Sequence, residues 1–197
     1  FITNAACEMT LGVTVQAVTG KRPSGKPEYT CFIVEQGTPG FKAVEMKKKM
    51  MWRSSNTAEL YFDDVRIPAE NILGKQGDGF HQMLKTLDGG RLSIAAMGLG
   101  GAQGAYEMAL KYAQSREQFG QPISKFQAVA FKLADCAVEI ECARNLLYKA
   151  CWLRDRKRPF EQMAAMAKLY CSEAMGRVVD HAVQIHGGYG LMKDYQV

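Results

Sequence analysis

The chain reads as an α+β protein, an antiparallel β-barrel-like domain over residues 1–76 followed by an antiparallel helical bundle over residues 77–197. Three observations predict it. Before residue 77, short runs rich in Val, Ile, Tyr and Phe are bounded by turn residues. After residue 77, apolar residues recur at the three-and-four spacing of helices and the β signals disappear. The change falls between Gly74 and Gly79, where glycines punctuate the chain and a domain boundary is expected.

In the first domain, residues 11–18 (LGVTVQAV) alternate with period two. The turn-rich GKRPSGKP of residues 20–27 then leads into YTCFIV at 29–34, the pattern of two antiparallel strands joined by a long hairpin loop. Thr38-Pro39-Gly40 closes that unit. Further strands are expected at TAELYF (57–62) and at VRIP (65–68), whose proline suits a strand end or edge. The first residues are also strand-like. With no initiator Met before Phe1 and no punctuation at Tyr195-Gln196-Val197, the sequence reads as a piece of a longer polypeptide.

The helical domain opens with a periodic segment from Asp78 to about Arg116, carrying Ala102, Ala105, Tyr106, Ala109, Leu110 and Ala113 on one stripe. At ~1.5 Å per residue that segment exceeds 50 Å. Gly89, Gly90, Gly98, Gly100, Gly101 and Gly104 lie inside it, each disfavoured by up to ~1 kcal/mol against Ala, so a break or a close approach by a backbone or ligand is expected. A second helix is expected to start at Ser124 with Gln127 as a capping box, and to end in the run Arg154-Asp155-Arg156-Lys157-Arg158 before Pro159. In a third, Met163, Ala167, Tyr170, Ala174, Val178, Ala182 and Ile185 mark the buried face, with Pro159 near the first turn and Gly187-Gly188 past the end.

Composition excludes several classes. Lys and Arg number 10 before residue 77 and 15 after it, against 8 and 12 acidic residues, so the formal +5 is spread evenly and no basic arm for nucleic acid exists. No run approaches the ~18 apolar residues of a membrane span and no signal peptide opens the chain, so a soluble intracellular protein is expected. The cysteines at 7, 31, 136, 142, 151 and 171 contain no Cys-x-x-Cys pair, and the last four lie in helical patterns among small and apolar residues. Reduced, buried thiols are expected, with neither disulfides nor a metal site. Lys47-Lys48-Lys49 and the basic run at 154–158 read as solvated surface, the sharper reading being attraction to phosphates or to an acidic partner.

Three segments together carry a resemblance. They are FITN at 1–4; RSSNTAEL at 53–60, leading through FDDVRIP (62–68) to NILG (71–74); and QIHGGYG at 184–190. Asp88-Gly89-Gly90-Arg91 and Arg116-Glu117-Gln118-Phe119-Gly120 lie between them in agreeing order and spacing. The chain resembles the acyl-CoA dehydrogenase family along nearly its whole length. That resemblance implies an N-terminal helical domain, a middle β-barrel and a C-terminal four-helix bundle, of which this chain looks like most of the last two, ending before the last helix.

The implied chemistry is FAD-dependent oxidation of an acyl-CoA thioester to its 2,3-enoyl form, with electrons passed to electron transfer flavoprotein. By resemblance Thr3 lies beside the flavin with Phe1 against the ring, where relatives often carry Trp. Arg116 reaches the FAD pyrophosphate of a neighbouring subunit, for which a planar fork of donors is suited. Gln118, Phe119 and Gln127 contact the flavin or its linker, and Gln184, Ile185, Gly187 and Gly188 lie near the adenosine end. His186 reads as structural or accessory. Asp88, Gly89, Gly90 and Arg91 line the acyl and pantetheine cavity, Arg91 as a buried cation near the thioester.

The catalytic glutamate of some relatives stands where this chain has Gly90, and in the others it follows the Gly-Gly-Tyr-Gly segment, so the base is expected beyond Val197 and Asp194 comes too early. These 197 residues alone are therefore expected to be inactive. Met51 stands where the family has Gly, which bears on the local turn. The resemblance favours short-chain, branched-chain or bacterial members. It implies a homotetramer, a dimer of dimers, in bacterial cytoplasm or mitochondrial matrix. An acyl-CoA oxidase or flavin monooxygenase would differ in oxygen access to reduced flavin, and a non-catalytic scaffold in lacking the glutamate.

Overall fold

The computed structural model describes residues 2–197, so Phe1 and its expected stacking role lie outside the described residues. The chain divides into two compact units, the first ending at Lys85 and the second running from Thr86 to Val197.

In the first unit, β2 (Gly12–Lys21) and β3 (Pro27–Glu35) form an antiparallel ribbon in which Val13 pairs with Val34 and Val15 with Phe32, the register slipping between Val18 and Gly20. Beside it lies a three-stranded sheet in the order β1 (Ile2–Thr3), β5 (Thr57–Phe62), β4 (Phe41–Glu45), all antiparallel. Ala5, Val13, Val34 and Ala58 are buried together, with Val15, Ala43, Leu60, Val65 and Ile67 packed against them. This small core joins the ribbon to the sheet.

Two sequence expectations fail here. Among the described residues no closed barrel forms, because the five strands of this unit lie in two separate ladders. Residues 65–68 are not a strand; Val65 and Ile67 serve as loop residues whose side chains enter the core, and Pro68 leads into a 3-10 turn at Ala69–Asn71. Strand β4, unanticipated, takes its identity from pairing along β5, Phe41 opposite Phe62 through Glu45 opposite Ala58.

The second unit is an up-down-up arrangement of three helices. Helix α1 (Gly79–Ser115) enters from the first unit and runs unbroken through its glycines. Helices α2 (Gln127–Asp155) and α3 (Glu161–His186) complete the set. Helix α2 is antiparallel to α3, because Glu139 meets Arg177 while Ala143 meets Cys171. Helix α1 runs parallel to α3, since Gly98 faces Cys171 and Gly101 faces Met175.

At Gly98 a Cβ would lie 2.8 Å from the Cys171 carbonyl oxygen, so two backbones meet there as the glycine content demanded. Alanines at 95, 102, 105, 109, 113, 143, 150, 164, 167 and 182 line the shared core and let the helices approach closely.

The expected capping box does not form. Residues Ile123–Lys125 make a 3-10 turn after Pro122, extended Phe126 is the residue before α2, and Gln127 is the first helical residue, with no side-chain cap. The cysteines are all free, but only Cys31, Cys136 and Cys171 are buried. Cys142 is exposed, on the flank of α2 beside Tyr170 of α3. Among the described residues no helix is long and apolar enough to cross a membrane.

Candidate functional site

The expected cofactor residues of the second unit gather where α1 and α3 both end. Beyond Ser115 the chain makes a small hairpin of β6 (Glu117–Gln118) and β7 (Gln121–Pro122). Its two turn residues, Phe119 and Gly120, have φ of 53° and 79°, the left-handed pair of a two-residue hairpin turn. Phe119 projects at the tip with 92% of its surface exposed, and its ring meets Phe126 edge-on at 6.1 Å, next to Gln127.

Arg116 is anchored on both sides by backbone. Its N–H donates to the Tyr112 carbonyl and its own carbonyl accepts from Ile123 N–H, each at 2.8 Å. The side chain is exposed, and its guanidinium lies over the Tyr189 ring, 5.6 Å from the centroid. No ion pair engages Arg116 among the described residues. A cation suits this place, past the C-terminal end of one helix and beside the end of another.

Helix α3 ends at His186, and Gly187 caps it with φ 61° before the 3-10 turn Gly187–Leu191. A Cβ at Gly187 or Gly188 would meet nothing within 4 Å, so both backbones lie open to an approaching group. Gln184 is exposed. Ile185 is 6% exposed and its side chain belongs to the bundle core, leaving only backbone to offer. His186 is 5% exposed, its Nδ1 2.8 Å from the Ala182 carbonyl oxygen and its ring stacked on Tyr112 at 4.3 Å.

The substrate-side residues stand elsewhere on α1. Asp88 and Arg91 form an ion pair one turn apart, with side chains 20% and 38% exposed. Arg91 is thus a partly exposed cation in this structure, paired with Asp88. Gly90 has open space where a Cβ would stand, while Gly89 faces Arg154. From Arg91 to the end of α1 is about 36 Å along the helix, so one copy does not bring residues 88–91 to the residues around Arg116.

In the first unit Thr3 is exposed at the end of β1, paired with Thr57. The preceding residue of β5, Asn56, holds a buried Oδ1 with no hydrogen-bond partner. A second feature escaped the sequence reading: a cavity of about 390 Å³ lined by Arg22, Lys26, Pro27, Tyr29 and Phe80, whose two rings stand 6.2 Å apart. The basic residues of the hairpin loop were its signal. Lys47, Lys48, Lys49 and Arg53 line a separate open bowl of about 560 Å³.

A family model described as acyl-CoA dehydrogenase, C-terminal domain, matches residues 77–197. The chain belongs to the acyl-CoA dehydrogenase family. Members of that family are FAD-dependent oxidoreductases. The chain is 53% identical to the probable acyl-CoA dehydrogenase YngJ of Bacillus subtilis over all 197 residues, which make up 51% of that relative. It superposes on the butyryl-CoA dehydrogenase of Megasphaera elsdenii with a TM-score of 0.93 at 46% identity, covering 99% of this chain and 50% of that one. A chain in the structure of the electron transferring flavoprotein of Acidaminococcus fermentans matches with a TM-score of 0.90 at 46% identity, over 99% of this chain and 50% of its own length. The chain spans about half the length of the curated relatives it matches.

The chemistry of the residues around Arg116 is compatible with the parts of an FAD molecule. An unpaired guanidinium can meet a diphosphate, open glycine backbone can lie against a nucleoside, and an exposed aromatic tip can reach a flat ring. The unpartnered Asn56 acceptor beside Thr57 fits a polar group at the strand end. Neither helix C-terminus favours an anion by itself, so the phosphate side of such a site depends on the charge of Arg116.

Proposed function

We propose that the protein carrying this chain oxidises a short-chain acyl-CoA to its 2,3-enoyl form with FAD as hydride acceptor, and passes the electrons to electron transfer flavoprotein. The observation that carries this reading is the unpaired Arg116, whose guanidinium lies over Tyr189, the neighbour of the open Gly187-Gly188 pair, and which precedes the hairpin tipped by the exposed Phe119. FAD would supply the hydride acceptor there; the protein residues bind and orient.

Arg116 neutralises the diphosphate, Phe119, Gln118 and Gln127 flank the flavin or its linker, and Gln184, Ile185 (through its backbone), Gly187 and Gly188 receive the adenosine. Thr3 donates a hydrogen bond to the flavin edge. Asp88, Gly89, Gly90 and Arg91 line the acyl and pantetheine path, with Gly90 leaving room for the thioester. The cavity at Arg22, Lys26, Tyr29 and Phe80 offers two cations and two rings for the nucleotide end of CoA. Because Arg91 and Arg116 stand about 36 Å apart along α1 of one copy, a thioester at residues 88–91 and the diphosphate of the flavin it reduces cannot both be served by the same copy, so the Arg116 that holds that FAD belongs to a second copy, the pairing from which a homotetramer would be built. Gly90 offers no carboxylate where some relatives carry theirs and Asp88 is engaged by Arg91, in keeping with the family resemblance, which implies an α-proton acceptor outside residues 1–197.

Anaerobic titration of the FAD-loaded protein with acyl-CoAs of graded length tests the reading through bleaching of the flavin band near about 450 nm. Bleaching by short chains is expected; none by any acyl-CoA overturns it. Replacing Arg116 with Leu is expected to weaken FAD binding about tenfold to a hundredfold, since it removes charge-assisted hydrogen bonds.

A further inference from the structure

The sequence reading treated Tyr189 as part of a glycine-rich helix end, yet four rings meet there. His186 is stacked on Tyr112, with ring centroids 4.3 Å apart. Tyr195 stands edge-on to both, 5.8 Å from Tyr112 and 5.7 Å from His186. Tyr189 leans on Tyr195 at 5.3 Å. The stack is tied to α3 through the His186 Nδ1 and Ala182 carbonyl contact, and its outermost ring is the one beneath the Arg116 guanidinium.

The Arg116 backbone is fixed by hydrogen bonds on either side, to Tyr112 and from Ile123. Its long side chain is not fixed by them. Among the described residues no carboxylate forms an ion pair with it, and its guanidinium lies over the Tyr189 face. A guanidinium over a ring face keeps its N–H donors in the ring plane's direction free for a ligand, whereas a carboxylate partner would use them.

We propose that Tyr189 is a positioning residue, a platform whose ring, set by the His186, Tyr112 and Tyr195 stack, holds the Arg116 guanidinium ready for a diphosphate. This rests on the reading of Arg116 as an FAD contact. Tyr189 acts through Arg116 and does not itself bind phosphate. The ring is what matters, since no hydrogen bond of the Tyr189 hydroxyl is recorded among the described residues.

FAD affinity of the complete apoprotein, read by quenching of flavin emission, is compared for wild type, Tyr189→Leu, Tyr189→Phe, Arg116→Leu and the Arg116→Leu, Tyr189→Leu double variant. Tyr189→Leu is expected to weaken FAD about two- to fivefold, Tyr189→Phe to leave it unchanged, and Tyr189→Leu to add nothing once Arg116 is gone. Wild-type affinity in Tyr189→Leu, or a loss of the same size without Arg116, overturns the assignment. Tyr189→Met replaces the Leu variant should that one not fold. Crystal structures of the apoproteins give a readout independent of the cofactor: the guanidinium keeps its place in Tyr189→Phe and leaves it in Tyr189→Leu, and an unmoved guanidinium in Tyr189→Leu overturns the platform. A wild-type protein that binds no FAD ends the proposed function, while the crystallographic comparison still decides the role of Tyr189.

Discussion

The two units bury their apolar residues by different means. The helical unit draws one continuous core from three helices, with small residues at the crossing points and Val178, Cys171 and many alanines almost wholly enclosed. The β unit encloses only Ala5, Val13, Val34 and Ala58, and leaves an open apolar groove of about 550 Å³ between ribbon and sheet, lined by Val15, Ala17, Val18, Phe32, Val34, Phe62 and others. Helices that touch backbone to backbone have little room to adjust, whereas a ribbon beside an open groove can relax. The same substitution should therefore weigh differently in the two units. Each contains a single tryptophan, Trp52 and Trp152, so variants keeping one or the other report the units separately.

The largest effect is expected at Gly98. A side chain there meets the Cys171 carbonyl carbon and oxygen and the Ser172 nitrogen, all backbone, so Gly98→Val should destabilise the helical unit by about 3 kcal/mol in urea unfolding followed at Trp152. A loss below about 1 kcal/mol would show that α1 and α3 separate easily. Next, Val178→Ala, at 1% exposure, should remove about 2 kcal/mol, while Val34→Ala should remove about 1 kcal/mol, because one side of Val34 already faces the groove. Equal losses would erase the contrast.

Gly90→Ala sharpens it from the other direction. Nothing stands where the methyl would go, so helix propensity alone should stabilise α1 by about 0.5–1 kcal/mol, while a thioester passing there would be obstructed and acyl-CoA reduction of the flavin slowed. A stabilised variant of unchanged reactivity would remove Gly90 from the substrate path.

The smallest effect concerns the α2–α3 surface. Arg177 holds Glu139 through two hydrogen bonds of 2.8 Å and keeps its carboxyl below the usual glutamate range. Burial, with the bond to Glu139, pushes the Tyr170 hydroxyl up to about 12. A lowered carboxyl pKa gives stability that is present above the ordinary value and lost as pH falls through the folded one. A raised hydroxyl pKa gives stability that is present below about pH 10 and lost as pH rises toward 12. Glu139→Gln should cost about 0.5–1 kcal/mol at neutral pH, reduced by the exposure of Arg177, and flatten the acid side of the stability profile.

The same contrast explains what the sequence disclosed. Helical periodicity survives many substitutions, so α1, α2 and α3 were legible to within a few residues; of the break or close approach that the glycines of α1 led us to expect, there is no break and Gly98 alone of the six meets another backbone. Strand β4 was hidden because FKAVE is short and charged and becomes a strand only by pairing with β5. Residues 65–68 have strand composition but serve the core from a loop. Ser124 and Gln127 have capping-box spacing, yet Pro122 and extended Phe126 set a 3-10 turn between them. Around the site, Arg116, Phe119 and the glycines were visible through family resemblance. The ring stack under Arg116 was not, because it joins residues from α1, α3 and the chain beyond, which no local spacing connects.

The turn at Phe119 and Gly120 carries an evolutionary consequence. A bulky aromatic in a left-handed conformation is disfavoured by about 1–2 kcal/mol, and Asn-Gly would make the same turn more comfortably. Mutational drift under demand for folding alone would therefore discard the Phe119 ring early, and a lineage that retains it reveals that something outside the isolated chain has been selecting for it.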